Sequence, residues 1–140
     1  MNKNGPIVII EDDSDDQEIL SEVFENLDYP NEVIFFGDGE AALDYLTTTD
    51  IQPFLIISDI NLPKLDGLAL RKKLKTDAKL EIKCIPYLFF TTTPNRNAVM
   101  EAYGESTQGF FIKPVKVQEL EDTIKLILDY WSKCASPNHV

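Results

Sequence analysis

Four short apolar stretches of this sequence are each followed closely by a side chain that can bind a metal ion, a phosphate or a proton. The stretches and the residues that follow them are 7–10 with Glu11, Asp12 and Asp13, 54–57 with Asp59, 85–90 with Thr91, and 110–112 with Lys113. Carboxylates suit a hard divalent ion such as Mg²⁺, which prefers oxygen ligands. A lysine ammonium suits a phosphate. Together these residue types indicate phosphoryl transfer onto a carboxylate.

The same stretches predict the sheet that would bring these residues together. Each is rich in β-branched or aromatic residues and is typical of a strand buried on both faces, and 33–36 is a fifth of the same kind. Apolar residues at helical spacing separate or follow them at 19–27, 41–46, 68–74, 98–103 and 120–131. This alternation predicts an α/β fold: a doubly wound, five-stranded parallel sheet with helices on both faces and the flavodoxin-like order 2-1-3-4-5.

In that order the first and third strands are neighbours, so the acids that follow them should converge at one edge. Clustered carboxylates repel one another unless a cation lies between them. We therefore expect Glu11 and Asp12 to hold Mg²⁺. Asp59, at the centre of the edge, is the predicted nucleophile, while Lys113 would bind phosphate and Thr91 would supply a hydroxyl.

Each of these residues also has a purely structural explanation. The acids after the first strand suit the N-terminus of a helix that Ser14 would cap, with Gln17 completing a capping box. Asp59 could form a turn, Thr91 could cap a helix, and Lys113 could be an exposed strand end. Because all of these residues lie at the ends of four predicted strands, the functional explanation is favoured.

Length and charge restrict the functions further. The chain has 140 residues, which suits one domain over 1–140 with a core at about 6–132. Thirteen Lys and Arg against 24 Asp and Glu give a net charge of −11. This acidity argues against direct nucleic-acid binding and against docking on an anionic membrane. The chain begins without a signal-like stretch and its apolar runs are short, so we expect a cytoplasmic protein.

Several features are interpreted as structural. Cys84 and Cys134 lack metal-ligand spacing and the single histidine is His139, so a zinc site is not expected. Both thiols are expected to be reduced, with Cys84 a buried small hydrophobe. The basic residues of 71–75 are interpreted as a solvated helix face and 135–140 as a frayed tail.

Four motifs together resemble the receiver domain of bacterial two-component response regulators. They are Ile-Ile-Glu-Asp-Asp at 9–13, Ile-Ile-Ser-Asp-Ile-Asn-Leu-Pro-Lys-Leu-Asp-Gly at 56–67, Phe-Phe-Thr-Thr at 89–92 and Phe-Phe-Ile-Lys-Pro at 110–114. The resemblance extends from the first strand to the last helix. The Asp59 segment and the Lys-Pro pair are specific in combination, whereas the acidic pair alone is weak.

The resemblance implies roles for the acidic residues. Asp59 would accept a phosphoryl group from a phosphohistidine of a sensor histidine kinase or a histidine phosphotransfer protein. Glu11 and Asp12 would bind Mg²⁺ together with Asp59 and the backbone carbonyl of Asn61.

It also implies a switch that the new charge would operate. Lys113 would contact the phosphoryl oxygens, Thr91 and Thr92 would form the hydroxyl side of the phosphate site, and Phe110 would rotate inward. The bond between Lys113 and Pro114 would be a cis peptide.

The Asp-Tyr-Trp sequence at 129–131 is similar to that of stand-alone receivers, some of which partner phytochrome-type kinases. Such a protein is not an enzyme in the usual sense and acts by docking on a downstream protein or by relaying the phosphoryl group. Trp131 would mark either a homodimer surface or the core. The polar stretch 104–109 and Pro94 depart from the family's pattern in the region that switches.

Two other functions compete with this one. A Mg²⁺-dependent phosphohydrolase with an aspartyl nucleophile would place a second aspartate two residues after Asp59, where this chain has Asn61. A docking domain that is never phosphorylated would not need the acids, Thr91 and Lys113 together. A flavin carrier of the same fold is disfavoured because an acidic loop repels phosphate.

Overall fold

A computed structural model of the chain describes residues 1–137, apart from the side chain of Ile82. The strands are β1 (Ile7–Ile10), β2 (Val33–Phe36), β3 (Leu55–Ser58), β4 (Tyr87–Thr91) and β5 (Gly109–Ile112). The helices are α1 (Ser14–Leu27), α2 (Gly39–Thr48), α3 (Gly67–Lys75), α4 (Ala78–Lys83), α5 (Arg96–Gly104) and α6 (Val117–Lys133). Helices and strands alternate along the chain, except that α3 and α4 are consecutive.

The five strands form one parallel sheet in the order β2-β1-β3-β4-β5, which confirms the predicted topology. Alternate residues of the central strands enter two separate apolar clusters, one on each face of the sheet. Ile7 and Ile9 of β1 pack with α1 and α6, whereas Val8 and Ile10 pack with α2, α3 and α5. This burial on both faces explains why β1 is apolar at every position.

The N-cap of helix α1 lies one residue earlier than we predicted. Asp13, not Ser14, is the N-cap, and its carboxylate accepts hydrogen bonds from the backbone N–H groups of Asp15 and Asp16 at 2.8 and 3.0 Å. The predicted capping box is therefore wrong. An aspartate N-cap also complements the positive end of the helix dipole. The side chain of Gln17 donates instead to the backbone carbonyl of Glu11, which ties the loop to the helix.

The region between α3 and β4 differs most from the sequence prediction. The short helix α4 was missed; it is capped by Asp77, whose carboxylate accepts from the N–H groups of Lys79 and Leu80. Cys84 ends this helix in the left-handed conformation, with φ of 52°, and is exposed. The prediction that Cys84 is buried is therefore wrong, because the chain turns at the surface there before entering β4.

The basic face of α3 is only partly solvated. Arg71 is half-buried, and its guanidinium donates to the carbonyls of Glu105 and Ser106 at 3.1 and 2.9 Å. It also lies 5.4 Å from the ring centroid of Tyr87. The interpretation of 71–75 as a wholly solvated face is wrong at this residue, because its planar fork can satisfy two carbonyls at once.

Several boundaries and local conformations also differ from expectation. Strands β3 and β4 each lie one or two residues later than predicted, and β4 follows Pro86 rather than containing it. The peptide bond before Pro114 is trans, as are all others in residues 1–137, so the implied cis peptide is not present. Trans is the lower-energy form even before proline.

Both ends of the described chain are packed rather than frayed. Met1 is buried in the apolar cluster under α1 and α6, and Ser136 is buried in an isolated β-bridge. The expected frayed tail is therefore wrong at Ser136, while 138–140, with His139, lies outside the described residues. Trp131 packs against the same apolar cluster, as its core explanation predicts. In residues 1–137, no helix is both long enough and apolar enough to cross a membrane.

Candidate phosphoryl-acceptor and metal site

Backbone hydrogen bonds carry the sheet one residue beyond its strands and place the polar side chains along one edge. The N–H of Glu11 donates to the carbonyl of Phe36 at 2.9 Å, and that of Asp59 donates to Ile10 at 3.0 Å. The N–H of Lys113 donates to the carbonyl of Thr91 at 2.8 Å. Each side chain therefore starts from a backbone that the sheet holds in place.

Three carboxylates meet at this edge. Each of Glu11, Asp12 and Asp59 contributes one carboxylate oxygen, and these three oxygens lie within 4.8 Å of one another. Glu11 is 3% exposed, and its Oε2 atom is buried without a hydrogen-bond donor among the described residues. Such an orphaned carboxylate oxygen, with two more carboxylates beside it, fits a divalent cation with oxygen ligands.

Lys113 lies on the other side of Glu11. Its Nζ atom donates to Glu11 Oε1 at 2.8 Å and to Asp16 Oδ2 at 3.2 Å, and lies 4.0 Å from Asp59 Oδ2. The lysine is buried with only 8% of its side chain exposed. The buried ammonium of Lys113 therefore faces three carboxylates.

Burial and crowding shift the protonation of this group. Burial raises the pKa of the Glu11 carboxyl to about 8, the Asp16 carboxylate acts in the same direction, and the Lys113 ammonium opposes them. The hydrogen bond with Glu11 holds the pKa of Asp16 below its usual range. Burial disfavours the charged form of Lys113, but its contacts with Glu11 and Asp16 outweigh that effect and raise its pKa. A divalent cation would favour the ionised form of Glu11.

The backbone around Asp59 is tightly packed. Asp59 Oδ1 accepts from the N–H groups of Ile60 and Asn61 at 2.6 and 3.3 Å, as a turn-forming aspartate would. Gly67, the first residue of α3, donates to the carbonyl of Ile60 at 2.8 Å. A Cβ atom on Gly67 would stand 2.1 Å from the carbonyl oxygen of Asp59. The acceptor loop therefore requires a glycine where α3 begins.

The predicted hydroxyl residues occupy different places. Thr91 is 1% exposed, and its Oγ1 accepts from the N–H of Thr93 at 3.3 Å. Thr92 and Asn61 instead line an open cleft of about 550 Å³, whose other lining residues are Glu11, Asp12, Asp13, Ser14, Asp15, Asp16 and Asp59. The side-chain amide of Asn61 donates to Thr93 Oγ1 at 3.3 Å.

Phe110, the residue expected to rotate, lies away from the acids. It is half-buried on the α3 and α5 face of the sheet, with its ring centroid 5.9 Å from that of Phe89.

Sequence reasoning missed two residues that matter to this geometry. Asp16 was assigned no function, although it contacts the buried Lys113. Its position as the third residue of α1 was a usable signal, because the first turn of a helix that follows β1 faces the same edge. Gly67 was included only as the last residue of the motif at 56–67, and its contact with the Asp59 backbone could not be inferred from sequence.

The comparisons with known proteins agree with this fold. Residues 7–125 match the model of the response regulator receiver domain. The chain is 28% identical over 130 residues to the response regulator Rcp1 of Synechocystis sp., covering 89% of this chain and 87% of that protein. Two solved structures are also similar. The phosphorylated cyanobacterial phytochrome response regulator RcpA has a TM-score of 0.85 and 28% identity, covering 94% of this chain and 97% of that one. The Mn²⁺-bound form of response regulator Rcp1 has a TM-score of 0.81 and 27% identity with the same coverage.

The chain belongs to the response regulator receiver domain family. Proteins of this family are signalling proteins of two-component systems and are generally not enzymes. Phosphorylation on an aspartate, a divalent metal and interaction with histidine kinases and downstream targets are general features of the family, as the resemblance implied.

Proposed function

We propose that this chain acts as a response regulator that accepts a phosphoryl group on Asp59 with Mg²⁺ and then signals to, or passes the group to, a partner protein. The observation that carries the proposal is the meeting of Glu11, Asp12 and Asp59 beside the buried Lys113. A carboxylate nucleophile, a metal position and a fixed positive charge are the three parts that phosphoryl transfer onto an aspartate needs.

In the proposed reaction an oxygen of the Asp59 carboxylate attacks the phosphorus of a phosphohistidine. The new bond is the P–O bond of an acyl phosphate, and the bond that breaks joins phosphorus to the imidazole nitrogen, which keeps the electron pair. Glu11, Asp12, Asp59 and the carbonyl of Asn61 would hold Mg²⁺, which would offset charge on the phosphoryl oxygens. Lys113 would donate to one of those oxygens.

The switch is proposed to follow from the new charge. Thr91 would turn its hydroxyl toward the phosphoryl group, with Thr92 at the mouth of the cleft, and Phe110 would move further into the space beside Phe89. The side-chain amide of Asn61 donates a hydrogen bond to Thr93 Oγ1 at 3.3 Å. This contact supports a role for the two residues in setting how long the phosphoryl group survives.

The proposed donor is a sensor histidine kinase or a histidine phosphotransfer protein of the cytoplasm, and the proposed receiver of the signal is another protein. A homodimer is proposed only as one form such a signal could take. Direct binding to nucleic acid is not part of the proposal, in line with the net charge of −11.

Acetyl phosphate with Mg²⁺ tests the acceptor role. We expect the intact protein to gain one phosphoryl group, stable in acid and released by hydroxylamine. Asp59→Asn should abolish the gain, whereas Asp44→Asn, which removes an exposed acid of α2, should leave it unchanged. Labelling that persists in Asp59→Asn would contradict the proposal, because another residue would then be the acceptor. Sustained turnover of a small phosphoester would also contradict it and would favour a phosphohydrolase.

A further inference from the structure

The carboxylates around the Lys113 ammonium are not equivalent in distance. Glu11 Oε1 and Asp16 Oδ2 lie within hydrogen-bonding range at 2.8 and 3.2 Å, whereas Asp59 Oδ2 lies at 4.0 Å. The ammonium therefore makes its hydrogen bonds with Glu11 and Asp16 and reaches Asp59 only at ion-pair distance. A phosphoryl group on Asp59 would attract the ammonium toward that residue.

The backbone of Asp16 is anchored by the N-cap of α1. It lies in the first turn of α1, where its backbone N–H donates to the N-cap carboxylate of Asp13 at 3.0 Å. Its side chain is 35% exposed, so a shift of Lys113 would leave its carboxylate accessible to water. It is not one of the three acids within ligand distance of one another. Its link to the site is its contact with Lys113 and Glu11.

We propose that Asp16 is a positioning residue that holds the Lys113 ammonium beside Glu11, so that Asp16 and a phosphoryl group on Asp59 compete for the lysine. This inference rests on the proposed function, because it describes how the same site exchanges one anion for another. Asp16 and the phosphoryl group compete for one cation. Loss of Asp16 should therefore strengthen the binding of a phosphoryl mimic.

The expected size follows from the exposure of the pair. Partly exposed ion pairs change equilibria modestly, by about two- to fivefold. We therefore expect Asp16→Asn to bind beryllofluoride, at saturating Mg²⁺, about two- to fivefold more tightly than the unmodified protein does. Asp16→Glu keeps the charge and should stay closer to the unmodified protein.

Asp15→Asn is the matched control. Asp15 lies on the same turn, is exposed, and carries the same charge, and the lysine's hydrogen bonds go to Glu11 and Asp16 instead. Both variants lower the negative charge of the cleft equally, so a difference between them comes from the contacts of Asp16 with Lys113 and Glu11. The Mg²⁺ affinity of each variant reports the effect on Glu11, and the Lys113→Met background reports the effect on the lysine. When the same two substitutions are made in a protein that also carries Lys113→Met, the difference between them should disappear.

The experiment is a titration of the full chain with beryllofluoride at saturating Mg²⁺, followed by ¹⁹F NMR, with the Mg²⁺ affinity and the urea midpoint of each variant measured separately. Tighter beryllofluoride binding in Asp16→Asn than in Asp15→Asn, lost in the Lys113→Met background, supports the inference. Equal binding by the two variants, weaker binding by Asp16→Asn, or a difference that survives Lys113→Met would overturn it. An unmodified protein that binds no beryllofluoride would instead overturn the proposed function, and the inference with it.

Discussion

Replacing Gly67 by alanine tests how tightly the acceptor loop is built. Gly67 begins α3, and an added Cβ would stand 2.1 Å from the carbonyl oxygen of Asp59 and 3.0 Å from a ring carbon of Phe89. Real Cβ contacts below 3.0 Å are essentially never seen. The loop must therefore open by about 0.9 Å, the difference between 3.0 and 2.1 Å.

The structure offers little freedom for that movement. The Asp59 peptide is held by its N–H bond to Ile10, and Gly67 is held by its own bond to the carbonyl of Ile60. Both sides of the contact are backbone, so no side chain can rotate away. Overpacking of this kind costs about 1–3 kcal/mol. Alanine gains up to about 1 kcal/mol of helix propensity over glycine. We expect a net loss of up to about 2 kcal/mol in the free energy of unfolding.

Function should suffer more than stability. A displacement near 1 Å at a reacting group can cost about 100-fold in rate. We therefore expect Gly67→Ala to slow phosphorylation by acetyl phosphate at least tenfold while the protein remains folded.

Urea unfolding and the rate of phosphoryl gain measure the two effects. Gly37→Ala is the control, because a Cβ there meets nothing within 4 Å. It should leave both quantities nearly unchanged. If Gly67→Ala matches Gly37→Ala in stability and in rate, the close approach of α3 to the acceptor peptide does not constrain the site, and the reasoning fails.

Three further predictions follow from particular contacts. Asp13→Ala should lower the free energy of unfolding by about 1 kcal/mol, while Ser14→Ala should change it by less than about 0.5, because Asp13 caps α1; equal losses in urea unfolding would contradict this assignment. Arg71→Met should cost about 1–2 kcal/mol against less than about 0.5 for the exposed Lys73→Met, since Arg71 donates to two carbonyls; a neutral Arg71→Met would refute it. Glu11→Gln should weaken Mg²⁺ binding at least tenfold in calorimetry, since a buried carboxylate oxygen is replaced; unchanged affinity would exclude Glu11 as a ligand.

The strand order could be predicted from sequence because the decisive pattern is local. Each strand is an apolar run of a few residues, and each is followed by a helix-length amphipathic segment, so right-handed crossovers leave few arrangements. The polar residues after β1, β3, β4 and β5 then have to share one edge, since parallel strands all end on the same side. This is why Glu11, Asp12, Asp59 and Lys113 could be placed near one another before any coordinates.

The contacts that the sequence did not predict depend on the phase of a helix or on a close approach between backbones. Asp13 and Ser14 are both favourable N-cap residues, and the position at which the chain leaves β1 decides which of them caps the helix. Asp16 reaches Lys113 because one turn of α1 points that side chain inward, across 97 residues of sequence. Cys84 follows a six-residue helix that is too short to show a periodic pattern.

The charge balance at the edge of the sheet explains why a cation belongs there. Glu11, Asp12, Asp16 and Asp59 would contribute four negative charges if all were ionised, against one positive charge from Lys113. The lysine uses one oxygen of Glu11, and the other oxygen has no donor. Burial raises the pKa of Glu11, and the neighbouring carboxylates of Asp16 and Asp59 act in the same direction. A divalent ion among the three clustered acids would offset that excess of negative charge and still leave Lys113 available to the phosphoryl group.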